Sequence, residues 1–309
     1  MKPGEIYAKT MPFVWAKLLL GLATVVISGV LFAILMGLAM LIKSDSLTTV
    51  MFVIWLCGIG IVRFILMHYI GYMLKAGHIA VITEAITTGS IPQNQIAYGK
   101  QMVLDRFATS NIYFAVDKLV SGAVKQIQRV IGKVGNVLSF IPGMKSITGL
   151  AQFFVDISLG YIDECCLGYT FYKQEQGAFK SAADGVVIYA QNVKKLLGSA
   201  AKTMGLVIVG LAGITLVLSL VLISLFRVFH WPGWVAFVIA LLLVAAVKFA
   251  FIDSFILTRM MSAYMEEAPH TVITYDLYGK LCGFSAKFKD LFNKGQQEQP
   301  SGQIGRAHV

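Results

Sequence analysis

Three acidic residues interrupt a long apolar stretch, and they are the side chains best placed to do chemistry. Asp156, Asp163 and Glu164 all fall within residues 147–172. That stretch is long enough to cross a bilayer as a helix, since about 20 residues suffice. On a helix, Asp156 and Asp163 share one face with Gln152 and lie roughly 10 Å apart along the axis. Because a carboxylate facing lipid costs at least about 2.5 kcal/mol, we expect this face to line a wet pathway or to meet other helices.

A structural reading of the same acids is also open. Asp163 and Glu164 could lie near one membrane interface, with Asp156 paired to a basic residue. Arg63 and Lys248 are the candidate partners, because each lies late in an apolar run. The two runs also share a short preceding turn, which hints at an internal repeat.

The composition is typical of a membrane protein. Hydrophobic residues make up 57% of the 309 residues and charged residues only 14%, and the mean hydropathy is +0.73. The formal net charge is +10, yet the 26 lysines and arginines are dispersed between apolar runs. This dispersal argues against a nucleic-acid partner and predicts contact with anionic lipid headgroups.

The apolar runs predict an all-α, polytopic membrane protein with one transmembrane domain over residues 1–267. Six spans are expected, at residues 18–42, 47–74, 111–138, 147–172, 203–226 and 234–258. Amphipathic segments at 76–107, 125–140 and 177–200 are expected at the membrane surface. Residues 268–303 are predicted to be a cytoplasmic tail, and 304–309 resemble a translated sequencing adapter.

The distribution of lysine and arginine predicts an inner (cell) membrane protein with both termini in the cytoplasm. One segment fits this topology poorly. If residues 111–138 cross the membrane, Lys125, Arg129 and Lys133 lie toward the outside, against the positive-inside tendency. These three residues form a basic stripe opposite an apolar one, so the segment could equally lie in the interface.

Motifs for enzyme chemistry are absent. The chain has no nucleophile-elbow, Walker, metalloprotease or dinucleotide-binding motif, and its five histidines are scattered. Its four cysteines, Cys57, Cys165, Cys166 and Cys282, have no metal-binding spacing. We therefore expect no enzyme activity, no cofactor and no metal.

Two motifs resemble the choline transporter-like family. Residues 252–257 read Ile-Asp-Ser-Phe-Ile-Leu, which is similar to an aliphatic-Asp-Thr/Ser pattern near the cytoplasmic end of that family's last span. Ser181 and Ala182, followed by Asn192 and Lys195, resemble the run before its penultimate helix. The likeness covers roughly residues 105–267, and the chain departs from it by lacking the family's extra amino-terminal spans and large outer loop.

The resemblance implies transport of choline or a related small solute. A quaternary ammonium group binds aromatic faces together with a nearby carboxylate. The expected substrate-binding residues are Asp156, Asp163, Gln152, Phe153, Tyr161 and Asp253, with Arg63, Lys248 and Glu164 as ion-pair candidates.

The leading hypothesis is therefore a transporter that moves a small, cationic organic solute along the acidic face. The alternative is a non-transporting membrane scaffold or assembly protein, whose amphipathic cytoplasmic helices bind lipid and partners. A cavity along the acidic face would favour transport, whereas closed ion pairs would favour the scaffold.

Overall fold

The computed structural model describes residues 1–42, 44–107, 110–134, 160–228, 233–273 and 275–298. Within them the fold is all-helical and contains no strand, which confirms the predicted fold class. The helices are α1 (Pro3–Lys9), α2 (Met11–Ile42), α3 (Asp45–Ile65), α4 (Tyr72–Thr88), α5 (Gln95–Phe107), α6 (Ser110–Val134), α7 (Ile162–Tyr172), α8 (Ala178–Val228), α9 (Gly233–Val247), α10 (Asp253–Glu267), α11 (Tyr275–Phe284) and α12 (Ala286–Gln297).

The chain divides into two compact units. The first, called here the span unit, comprises Met11–Lys75 and Val207–Ser254. The second, called here the helical unit, comprises the described residues of Met1–Thr10, Ala76–Leu206 and Phe255–Val309. Most of predicted spans 18–42, 47–74, 203–226 and 234–258 falls in the span unit, whereas the described parts of 111–138 and 147–172, residues 111–134 and 160–172, belong to the helical unit.

Three helices are long and apolar enough to cross a membrane: Met11–Ile42, Ser46–Thr88 and Phe237–His270. A shorter apolar helix runs over Ala212–Ser224. Helix α6 is not among them. The three helices fit a membrane protein, and the six-span count stays a prediction.

The span unit contains two pairs of helices that follow one another in the chain, called here the first hairpin (α2 and α3) and the second hairpin (the end of α8, then α9 and its continuation); α9 packs against α2. In the first hairpin, Ser44 caps α3 by accepting a hydrogen bond from the backbone N–H of Leu47. Trp55 on α3 is fully buried and donates to the backbone oxygen of Ser28 on α2 at 2.8 Å. Its ring also contacts Phe32 at a centroid distance of 4.7 Å. This contact joins the two helices of the hairpin through apolar burial and one hydrogen bond.

Each hairpin carries a short π-helical segment late in its second helix. The first is Leu66–Gly71 and the second is Lys248–Ile252. Each lies a few residues before the boundary at which the chain leaves the span unit, after Lys75 and after Ser254. The shared position extends the similarity between the hairpins that Arg63 and Lys248 suggest from sequence.

The two units differ sharply in how many large apolar side chains they expose. Most of the large hydrophobic residues that are exposed in the described parts of the chain lie in the span unit, such as Leu19 at 67% and Val209 at 73%. Helix α6 of the helical unit instead exposes Lys118, Lys125 and Arg129 and buries Tyr113, Val116 and Val120. The span unit therefore has an apolar surface suited to lipid, and α6 has a charged surface suited to water.

The core of the helical unit forms around α6, which packs against α5, α7, α11 and α12. Helix α12 is strongly polar on one face and buries Phe288 and Leu291 on the other. Ser285 caps α12 and also donates to the Gln126 side chain of α6 at 2.5 Å. The segment predicted to be a cytoplasmic tail is thus folded into helices and packed, at least as far as Glu298.

Candidate functional site

The structure describes only the second half of the predicted acidic helix. Gln152, Phe153 and Asp156 lie outside the described residues. Asp163 is half-buried in the first turn of α7, where its Oδ1 accepts a hydrogen bond from the Glu164 backbone N–H at 3.2 Å. Tyr161 directly precedes the helix and is half-buried. Carboxylates in the first turn interact favourably with the helix dipole, which is a structural role for Asp163.

Glu164 is buried in the helical unit, with only 4% of its surface exposed. The acid that interacts with it is Asp117 of α6, which is 7% exposed. The pKa of Asp117 is raised to about 7, chiefly by burial and also by the charge of Glu164, while Lys125 opposes the rise. Asp117 Oδ1 has no hydrogen-bond partner among the described residues. The two acids thus form a buried carboxyl pair, in which like charges favour a proton on one member.

The residues around this pair are poorly suited to nucleophilic or metal chemistry. Cys165 and Cys166 are fully buried, and burial raises the pKa of both thiols. Thiols in that state are neutral and unreactive. Nowhere in the described ranges do three or more His, Cys, Asp or Glu residues form a group that could hold a metal ion.

Asp253, Lys248 and Arg63 lie in the span unit. Lys248 Nζ forms an ion pair with Asp253 Oδ1 at 2.6 Å, so these two predicted site residues are each other's partners. Lys17 is also buried there, and its Nζ donates to Ser254 Oγ at 3.0 Å. Arg63 is exposed at the surface of α3. The predicted set is therefore divided, with Asp163, Glu164 and Tyr161 in one unit and Asp253, Lys248 and Arg63 in the other.

The residues that carry the family resemblance have clear structural roles. Ser181 Oγ accepts from Arg106 at 2.8 Å and donates to the Lys173 backbone oxygen at 2.8 Å. Asn192 donates to Thr271 Oγ1 at 2.8 Å, and Lys195 pairs with Glu267 at 2.7 Å. These contacts hold α8 against α5 and the region after α10.

Arg106 and Glu298 are two further residues that organise this region and that the sequence reasoning did not single out. Arg106 donates to the backbone oxygens of Lys173, Gln176 and Gly177, and burial lowers its pKa to about 10. Glu298 Oε2 accepts from the backbone N–H groups of Phe179 and Lys180 at 2.8 and 3.1 Å, at the start of α8. A carboxylate at a helix N-terminus satisfies otherwise unpaired amides, so Glu298 fixes the end of the described chain.

Asp117 is the site residue that the sequence could have revealed. It lies among Tyr113, Val116 and Val120 on the apolar face of α6, where a charged residue requires a special environment. Its partner Glu164 is 47 positions further along the chain, and their proximity depends on how α7 packs against α6. Periodicity alone cannot supply that contact.

Comparison with known proteins does not extend these observations. The chain matches no known family, no curated protein and no solved structure. The resemblance to the choline transporter-like family therefore stays a prediction, carried only by the residues quoted above.

We expect Asp117→Asn to change how stability depends on pH. The pKa of Asp117 is about 7 in the folded protein, above the ordinary value of 3.8. Between these values the unfolded chain releases the proton first, so the free energy of unfolding falls as pH rises from about 4 to 7. The asparagine variant lacks this loss and should gain, relative to wild type, on the order of 4 kcal/mol by pH 8, at about 1.4 kcal/mol per pKa unit.

Thermal unfolding of the full chain in detergent micelles at pH 5 and pH 8 measures the part of this difference that arises above pH 5, about 3 kcal/mol. Asp290→Asn is the matched control, because Asp290 is an exposed acid on α12. If Asp117→Asn and wild type lost stability in parallel between the two pH values, the buried, protonated carboxyl would be contradicted.

Proposed function

We propose that this chain is a non-transporting membrane scaffold, in which the span unit anchors the helical unit at the cytoplasmic surface of the inner membrane. One observation carries the proposal. Helix α6 buries Asp117 against α7, which bears Glu164, and also packs against the polar helix α12. Asp117 and Glu164 are thereby enclosed in a packed helical unit, and Asp253 is paired with a lysine; neither arrangement requires a solute pathway.

The same packing supports four membrane crossings rather than six. A membrane-spanning α6 would carry α12 into the hydrocarbon, although α12 exposes Lys289, Asp290 and Lys294. Four crossings keep both termini in the cytoplasm, because the number is even. They also return Lys125 and Arg129 to the inner side, which removes the exception to the positive-inside tendency.

The helical unit has a basic face suited to anionic headgroups. Lys118, Lys125 and Arg129 are exposed and recur at helical spacing along α6. The stem of Lys287 from α12 packs at Gly122, between Lys118 and Lys125, since its Cγ lies 2.8 Å from where a Gly122 Cβ would be. The only acid on α6 is the buried Asp117. Each lysine or arginine near an anionic surface contributes about 1 kcal/mol of attraction.

Chemical footprinting tests this face in the unmodified protein. The full chain is placed in nanodiscs of phosphatidylglycerol or of phosphatidylcholine and treated with a neutral acetylating reagent. We expect acetylation of Lys118 and Lys125 to be roughly fivefold slower with phosphatidylglycerol, the factor that corresponds to about 1 kcal/mol. High salt should remove the difference.

Lys100 is the internal control, because it is an exposed lysine of the helical unit on a different helix, α5. Equal acetylation rates of Lys118 and Lys125 in the two lipids would contradict docking of the basic face. Slowing of Lys100 to the same degree would show a general lipid effect and would contradict it as well.

Transport of a small organic cation is the second candidate function, and the buried carboxyl pair favours it. Asp117 and Glu164 could stabilise a cation. Glu164 is the next residue after Asp163, which belongs to the predicted acidic face together with Asp156. No cofactor, metal or enzyme activity is part of either proposal.

Uptake of labelled choline into proteoliposomes separates the two functions. The scaffold proposal predicts equal uptake by vesicles with wild type, with Asp156→Asn and with no protein. Uptake above empty vesicles that Asp156→Asn reduces at least tenfold would overturn the scaffold proposal and support the acidic pathway.

A further inference from the structure

A groove on the first hairpin of the span unit holds a cation that has no acidic partner among the described residues. The groove has a volume of about 440 Å³ and is lined by Gly60, Arg63, Phe64, Met67, His68 and Tyr72. The Arg63 side chain is exposed, and no described side chain or backbone group forms a hydrogen bond or ion pair with it. An exposed guanidinium among aromatic and apolar groups is well suited to a ligand that has both an anionic and an apolar part.

Ordinary helical spacing brings most of these side chains to one side of the helix, because they follow one another at positions i, i+3, i+4, i+7 and i+8: Gly60, Arg63, Phe64, Met67 and His68. A π-turn is wider than an α-turn, so residues five apart come close to one another in space. The second hairpin shows this directly, because Lys248 and Asp253 are five apart and form an ion pair at 2.6 Å. In the first hairpin, Arg63 and His68 are also five apart and both line the groove, but Arg63 lies three residues before the π-helical segment.

Comparison of the two hairpins shows what the first one lacks. The second hairpin neutralises its cation with Asp253. The corresponding position of the first hairpin holds His68, whose ring stacks on Phe64 at a centroid distance of 4.9 Å. The positive charge of Arg63 is therefore available to an external anion, while that of Lys248 is satisfied internally.

The position of Arg63 along its helix corresponds to the headgroup level. It lies 18 residues after Asp45, which is about 27 Å at 1.5 Å per residue, close to the roughly 30 Å of a hydrocarbon core. Lys75 follows three turns later and lies 5.7 Å from the Tyr72 ring centroid. These basic residues mark the side of the membrane that the charge distribution assigns to the cytoplasm, where anionic lipids concentrate.

We propose that this groove is a binding site for an anionic membrane phospholipid. Arg63 would hold the phosphate through paired N–H donors, in a groove that Tyr72 also lines. The start of an acyl chain would lie beside Gly60, one turn toward the membrane centre from Arg63, while Phe64 and Met67 would contact the apolar part of the headgroup. A second crevice at Arg63, bordered by Gly21 and Ala246, measures only about 10 Å³ and has room for a single water at most. Lipid binding in this groove does not depend on the function of the helical unit.

Native mass spectrometry of the full chain, released from micelles after titration with lipid, tests the proposal. We expect phosphatidylglycerol to bind at least fivefold more tightly than phosphatidylcholine. Arg63→Gln should lower this preference roughly fivefold, the contribution of about one cationic side chain at an anionic surface. Free glycerol phosphate should not displace the lipid, because it lacks the acyl chain.

A second variant keeps the test decisive if Arg63→Gln folds poorly. His68→Asp places an acid five residues from Arg63, as in the second hairpin, and should abolish the preference while Arg63 is retained. The matched control is the double variant Lys248→Gln with Asp253→Asn, which removes the internal pair at unchanged net charge and should bind as wild type does. Unchanged preference in both groove variants, or an equal loss in the control, would overturn the site.

Discussion

The cost of removing a carboxylate from water governs how this chain is organised. An ionised acid in a low-dielectric environment is tolerated only when it is paired, hydrogen-bonded or protonated. The span unit pairs Asp253 with Lys248 at 2.6 Å. The helical unit instead encloses Asp117 beside Glu164, where burial raises the pKa of Asp117 toward neutrality. In both cases the surrounding protein makes the acid tolerable, by an ion pair in one unit and by a raised pKa in the other. An acid within an apolar sequence therefore need not indicate a solute pathway.

Much of the fold could be read from the sequence because unbroken apolar runs have few alternatives. Residues 18–42 and 47–74 contain too few polar groups to remain in water, and a short turn between them leaves only a hairpin. Both helices are present, joined through Trp55. The amphipathic segments were ambiguous, since the apolar face of α6 could meet lipid or protein equally well. The deciding contact, with α12 more than 150 residues away, has no local signal.

The candidate site was harder to predict than the fold. The residues chosen from sequence shared a helical face or an apolar environment, but Asp253 and Glu164 belong to different compact units. The π-turn that aligns Lys248 with Asp253 is also not visible in a helical pattern with 3.6 residues per turn. The basic residues late in the two hairpins, Arg63 and Lys248, suggest from sequence that the hairpins are similar, and each hairpin also carries a π-helical segment. The difference between the hairpins, an acid in one and a histidine in the other, became meaningful only with the geometry.

The account depends most directly on helix α6 lying in the cytoplasm rather than across the membrane. The decisive measurement is labelling by a membrane-impermeant maleimide of Lys125→Cys, made in a background of Cys57→Ser and Cys282→Ser, in which the remaining Cys165 and Cys166 are fully buried. Ser46→Cys, at an exposed position in the first turn of α3, is the reference for the opposite side. We predict that Lys125→Cys reacts only in inside-out vesicles and Ser46→Cys only in right-side-out vesicles. Reaction of Lys125→Cys in right-side-out vesicles would place α6 as a crossing helix and contradict the account.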